Sequence, residues 1–240
     1  MSRTKKDTSL GSIMGYGFIQ FEIHLREQYV NHMETHFEQE LKIIETNYDE
    51  FMASIEDDDS DDLSDEAKSH YEDSFIDDFY MIKKVYRKTF RDSQVIQLYS
   101  FLEDLLMKGC SRYASVKKTP YKVTDLNGQN DIDRIKKYLT KSVGIDFGTL
   151  TSDWSFLDNL RAVRNQVVHH NGIIKNNDVE KGNDKKFNKI EKFSKDNFTL
   201  EPYVSSSDRF QIIFDNPKFI TSILKHIESL IQNIAQYEVD

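Results

Sequence analysis

Between Leu160 and Gly172 the chain reads LRAVRNQVVHHNG, and Arg164, Asn165, His169 and His170 are the side chains in it that could do chemistry. A guanidinium offers a planar fork of donors that fits phosphate or carboxylate oxygens and keeps its charge at any physiological pH. An imidazole moves protons near neutrality, and an amide beside it can orient either group. Such a set could hold an anion and move a proton beside it. On an ideal helix each residue turns about 100°, so Phe156, Leu157, Leu160, Val163, Val167 and Val168 share one apolar face. Arg164 falls about 40° from Leu160, inside that face, where an unpartnered charge is costly. It must snorkel out or meet an anion. Asn165 and His169 are neighbours on the polar flank, while Arg164 and His169 lie about 140° apart. One straight helix cannot aim both at a single small target. Two copies packed across a two-fold axis can, so the spacing predicts a homodimer through this helix. Asn171 and Gly172 are C-terminal capping types, which puts His169 and His170 in a fraying last turn whose dipole favours the imidazolium form.

The rest of the chain has to position that helix, and its pattern is helical. Phe18, Phe21, Leu25, Tyr29, Met33, Phe37, Leu41, Ile44, Tyr48 and Phe51 recur at helical spacing and predict a long amphipathic helix over 18–55. An acidic loop over 56–66 interrupts it. Ser64, with Asp65 and Glu66 behind it, is the expected cap of a second helix running to about Phe90, and Asp92 or Ser93 restarts a third through Leu98, Leu102, Leu105 and Leu106. The long helical pair thus occupies about 18–91. A loop over 116–130 and a short helix over 131–142 precede the motif helix at about 152–171, for which Thr151 and Ser152 are cap candidates. A lysine-rich loop fills about 173–197. Two strand-like runs, FTLEPYV and RFQIIF, form a hairpin. Asn216 and Pro217 open a last amphipathic helix, which completes the segment over about 198–238.

Composition agrees. With 9 Gly and 3 Pro in 240 residues, many tight turns are not available, so the expected fold is an all-α helical bundle, a single domain over 1–240 with one small β-hairpin. The single cysteine, Cys110, allows no internal disulfide and sits in an apolar run, as a core residue of a reducing, cytoplasmic compartment would. No apolar run approaches the roughly 20 residues of a membrane span. The net charge of -9 is concentrated: residues 56–66 carry eight acidic side chains and no basic one. Basic clusters stand at Lys83–Arg91, at Lys117 and Lys118, and between Lys175 and Lys195, so overall acidity does not exclude a polyanionic partner.

The run RNQVVH from Arg164 to His169, trailed by HNG, resembles the arginine, polar residue, three residues, histidine signature of the HEPN ribonucleases. The resemblance covers about 152–172. It implies a helical bundle that dimerises through this helix and a metal-independent endoribonuclease of a toxin, abortive-infection or related defence system. Carried over by position, Arg164 would bind the scissile phosphate, His169 would act as general acid or base with His170 as second choice, and Asn165 would orient one of them. The implied reaction is attack by a ribose 2′-OH on its own phosphate. The expected partners are RNA, a second copy of the chain and an antitoxin or regulator, with no membrane and no cofactor. Lys175, Lys185, Lys186 and Lys189 follow the motif and are the RNA-binding candidates, with Phe187 and Phe193 available to stack bases or to pack the loop down.

Structural readings compete with these. Arg164 could pair with Asp104 or Glu103 of a neighbouring helix, and the two histidines could serve only the helix dipole. A zinc site lacks a third ligand at a supporting spacing. The acidic loop could be solvated chain, a nucleic-acid mimic or a dock for a basic partner. A helical dimer without catalysis, serving as an interaction or RNA-binding subunit, is the alternative function.

Overall fold

A computed structural model describes residues 10–57, 64–177, 184–203, 206 and 208–237. The fold is all-α with one small sheet: α1 Leu10–Met14, α2 Tyr16–Asp57, α3 Asp65–Tyr80, α4 Arg87–Lys117, α5 Asp131–Tyr138, α6 Thr151–His170, α7 Lys185–Ser194 and α8 Lys218–Ala235, with strands β1 Ile173–Lys175, β2 Thr199–Pro202 and β3 Arg209–Ile213. The strands are antiparallel in the order β1-β3-β2. The chain divides into two compact units, residues 28–93 and residues 1–27 with 94–240.

In the unit of residues 28–93, stacked rings tie α2 to α3: Tyr48 on Phe75 at 4.2 Å and Phe51 on Tyr71 at 3.7 Å between centroids. Arg91 donates to both carboxylate oxygens of Glu34, at 2.8 and 2.7 Å, with both side chains buried. Such a fork-to-fork pair satisfies two charges that could not be buried singly. Arg87 pairs with Glu38 at 2.5 Å and Lys88 pairs with Asp92. The basic cluster at Lys83–Arg91 is thus largely spent on internal pairs, not offered to a polyanion. Ser64 caps α3 as expected, its hydroxyl accepting from the Ala67 amide. The expected break at Asp92 or Ser93 does not occur. A π-helical turn over Met81–Tyr86 joins α3 to α4, and the Ser93 hydroxyl donates back to the Phe90 carbonyl within the helix instead of opening a new one. Most of the acidic loop, residues 58–63, lies outside the described residues.

The long first helix forms, and the expected stripe holds at Phe37 and Leu41 but not before them. Ile19, Ile23, Val30, Phe37 and Leu41 are buried, whereas Phe18, Phe21, Leu25 and Tyr29 are exposed. Both sets recur at helical spacing, and only the packing chooses between them.

In the unit of residues 1–27 with 94–240, α6 packs on α7, α8 and β1. Its Leu160 and Val163 are fully buried, as are Ile220, Ile223, Ile227, Leu230 and Ile234 along one face of α8 and Val95 and Leu102 of α4. Asn130 caps α5 through the Asp133 amide. Thr151 and Ser152 do not cap α6: the position before the helix is Leu150, and the Thr151 hydroxyl donates back to the Phe147 and Gly148 carbonyls. The lysine-rich segment is not a plain loop. It holds β1, too short to announce itself by alternation, and α7, whose cap Asp184 accepts from the amides of Lys186 and Phe187. The hairpin is β2 with β3, and Asn216 with Pro217 does open α8. Phe187 packs against Phe210, and Phe193 joins Phe156, Phe198 and Phe219 in an edge-to-face cluster, so both rings pack the segment down and do not await bases. Cys110 is buried, and burial pushes its thiol up to about 12, as befits a core residue.

Candidate functional site

Helix α6 runs unbroken through His170, where Asn171 and Gly172, both left-handed, close it onto the Gln166 carbonyl. The turn is pinned, not frayed: Gln211 donates to the Asn171 carbonyl at 3.0 Å, and the Ile212 amide to the Gly172 carbonyl at 2.9 Å. Gly172 is required twice over. Its φ is +73°, and a Cβ there would sit 2.9 Å from Gln211 Nε2.

The expected apolar face holds from Phe156 to Val167, but Val168 is 41% exposed. On the opposite edge of that face Gln166, a polar side chain, is only 2% exposed. With its amide oriented to satisfy both ends, Gln166 donates to the Ile173 carbonyl at 3.2 Å and accepts from Lys186 Nζ at 2.5 Å. It thereby ties the motif helix to β1 and α7. No periodicity argument would have found it.

Arg164 is half-buried, between the core and the surface of α6. Its Nη1 donates to Asn165 Oδ1 at 3.1 Å, its guanidinium lies 5.9 Å from the centroid of the Tyr99 ring on α4, and its Nε is buried without a partner. Among the described residues no acid comes within ion-pair distance of it. Glu103 is close enough to feel its charge, yet burial dominates and holds the Glu103 carboxyl above its ordinary range, against the pull of Arg164. A true Arg164–Glu103 pair would do the opposite. The nearby Tyr99 hydroxyl is also raised, again by burial first.

His169 and His170 are exposed and make no side-chain hydrogen bond among the described residues. Neither is within hydrogen-bond distance of Arg164 in one copy of the helix. Of the basic candidates, Lys185 and Lys186 are exposed at the start of α7, and Lys175 lies 3.5 Å from Asp208. Lys189 is committed elsewhere: its Nζ is 2.5 Å from Asp158 Oδ2, fastening α7 to α6. Burial opposes ionisation of Asp158, but hydrogen bonds from Lys189 and Arg161 outweigh it and hold the carboxyl low.

A family profile of Abi-like proteins matches residues 1–175, which include the whole of α6 and β1. The chain belongs to that family. Abi-like proteins are an abortive-infection family, so the defence setting implied by the motif stands at that level. Comparisons with curated proteins and with solved structures returned no match. In this Abi-like chain no helix among the described residues is long and apolar enough to cross a membrane, and no group of three or more His, Cys, Asp or Glu converges among them.

A second polar constellation went unread in the sequence. Asp153 of α6 is buried, with Oδ1 2.7 Å from His226 Nδ1 and Oδ2 accepting from the Ser229 hydroxyl at 2.7 Å, while His226 stacks on Phe156 at 3.8 Å. Asp and His lie 73 positions apart, and nothing local signals the pairing. It stands about 16.5 Å from Arg164 along the helix, which makes it a clamp between α6 and α8 and not a partner of Arg164.

Proposed function

We propose that this chain is a HEPN-type, metal-independent endoribonuclease acting in abortive infection. The observation that carries the reading is Arg164: a permanent cation, half-buried, with a partnerless buried Nε, no acid at ion-pair distance among the described residues, and an exposed histidine five positions on. A folded protein keeps such a charge at a cost, and a phosphate oxygen would satisfy it through the planar fork. In the reaction a ribose 2′-oxygen forms a bond to phosphorus while the bond from phosphorus to the 5′-oxygen breaks. The 2′-hydroxyl proton goes to a base, the leaving 5′-oxygen receives one, and Arg164 balances the charge that builds on the phosphoryl oxygens. His169, or His170 in second place, moves the proton, and Asn165 orients Arg164 through the 3.1 Å hydrogen bond.

Arg164 and His169 point about 140° apart on α6, so a complete site calls for a second copy of the helix laid across the first. The exposed Val168, His169 and His170 belong to the surface that such a mate would cover. The test is cleavage of a mixed RNA substrate in EDTA by the wild type and by Arg164→Ala and His169→Ala. Activity in the wild type and its loss in both variants is expected, and wild-type cleavage by a well-folded Arg164→Ala ends the reading.

One observation favours a second reading. No side chain among the described residues orients His169, whereas catalytic imidazoles are held by a second hydrogen bond. On that reading the chain is a non-catalytic helical dimer that binds RNA or a protein partner in a defence complex. It predicts no cleavage by any variant, with RNA affinity retained.

A further inference from the structure

Beside the C-terminal end of α6 lies a groove of about 390 Å³ between that helix, β1, β3 and the start of α7. Its polar lining is Gln166, His170, Lys175, Asn177, Lys186 and Arg209. Three of these carry fixed positive charge, a fourth is a histidine of the motif, and among the described residues no acid lines the groove.

The way the cations are held is more telling than their number. Lys175 and Arg209 are directly opposed partners in the β1–β3 register, and like charges facing each other across strands oppose sheet pairing. Asp208, next to Arg209, relieves this in part from 3.5 Å. Lys186 is brought in from α7 and anchored by the buried amide of Gln166, itself part of the motif run. Asn177 is fixed from the other side, its amide and side chain both donating to Asp184, the cap of α7. The buried Gln166 amide thus holds one of these cations, Lys186, at the groove, and the Asp184 cap holds Asn177 there. The C-terminal dipole of α6 opposes an anion here with only about half a charge, far less than three fixed cations supply.

We infer that this groove is a phosphate-binding subsite that seats a phosphate of the RNA next to the one engaged at the motif, with Arg209 as its central ligand. The inference rests on the ribonuclease reading for the identity of the chain it binds, but not for the chemistry of binding. Arg209 and Lys186 lie beyond residue 175, where the family match ends, whereas Gln166, His170 and Lys175 lie within it, so the subsite joins both parts of the chain. A basic groove of this kind positions a backbone and does not read sequence.

The probe is a 2′-O-methylated RNA oligonucleotide, which has no free 2′-hydroxyl to react, titrated by fluorescence anisotropy over a series of salt concentrations. Arg209→Gln and Lys186→Gln are each expected to weaken binding several-fold. The Lys175→Gln, Lys186→Gln, Arg209→Gln triple variant is expected to flatten the slope of log affinity against log salt by about 0.7, the share of that slope that one phosphate neutralised on a single strand accounts for. Because the substitutions separate like charges, the melting temperature of Lys175→Gln is expected to stay level or rise, so weaker binding cannot be blamed on unfolding. A second arm uses inorganic phosphate as competitor. A larger dependence on the groove for the oligonucleotide than for phosphate assigns it to an RNA chain; the reverse assigns it to a free phosphate ligand, which retains the anion site and overturns the RNA assignment. Unchanged affinity and unchanged slope in the triple variant overturn the subsite altogether. Cleavage of unmodified RNA is scored separately: failure of the wild type to cut ends the ribonuclease reading while leaving the groove's binding result standing.

Discussion

Arg164 keeps its charge available because it is held only weakly, by a single hydrogen bond to its neighbour and a distant aromatic face. Replacing it with Ala is therefore expected to change stability by no more than about 1 kcal/mol, the usual worth of one such hydrogen bond, and calorimetry checks this. On the ribonuclease reading the same change lowers cleavage by at least about 10²-fold, and Arg164→Lys is nearly as damaging, since an ammonium cannot present the planar fork. Glu103 provides the complementary test. Its carboxyl is raised in the fold by burial, so the protonated form suits the folded state. Stability from this group is present below its unfolded value, about 4.3, and is lost as pH rises through the higher folded value. At pH 7 Glu103→Gln should leave the melting temperature level or raise it. A clear drop would show that Glu103 and Arg164 form a structural pair after all.

At the scale of elements, the end of α6 and the docking of α7 set the site's shape. Gly172→Ala places an L side chain at φ +73° against a glutamine that is itself bonded across the turn. A loss of about 1–2 kcal/mol is expected in chemical denaturation, from the left-handed conformation alone. The Lys189–Asp158 bridge holds α7 on α6, and the Asp158 carboxyl is lowered, burial notwithstanding, by hydrogen bonds from Lys189 and Arg161. Its contribution is fully present above the unfolded value of about 3.9 and is lost as pH falls through the lower folded one. Protection of the α7 amides, relative to their intrinsic exchange rates, should therefore hold down to about pH 4 and fall below it, whereas Lys189→Ala should lower it already at pH 7. Exchange in α7 that ignores both changes would mean that the bridge is ornamental. Lys189 thus parts company with Lys185 and Lys186: its removal is expected to act on folding, theirs, on the proposed reading, on anion binding.

For the whole molecule, the angular separation of Arg164 and His169 on one helix makes a dimer the expected working state. Light scattering at micromolar concentration should report twice the 28.2 kDa chain mass. A monomer that still cuts RNA would remove the need for a composite site. The proposed 2′-hydroxyl chemistry further predicts cleavage that persists in EDTA; activity abolished by the chelator and restored by magnesium or zinc would contradict it.

The all-α architecture, the long first helix, the Ser64 cap, the hairpin, the final helix and the Asn171–Gly172 terminus were legible in the sequence, because each follows from spacing or capping chemistry within a few residues. The motif was legible for the same reason. What the sequence left undetermined is what depends on distant partners. Either of two stripes could have been the inner face at the start of α2, and packing chose Ile19, Ile23 and Val30 over Phe18, Phe21, Leu25 and Tyr29. Nothing near Gln166 says that a polar side chain belongs in the core, since its reasons, the Ile173 carbonyl and the Lys186 ammonium, arrive with β1 and α7. Lys175 and Lys189 read alike as loop lysines, yet strand register sets one opposite Arg209 and helix docking spends the other on Asp158. Local periodicity is a property of the chain, but the burial of a face and the pairing of a charge are properties of two surfaces meeting, and only the folded structure brings them together.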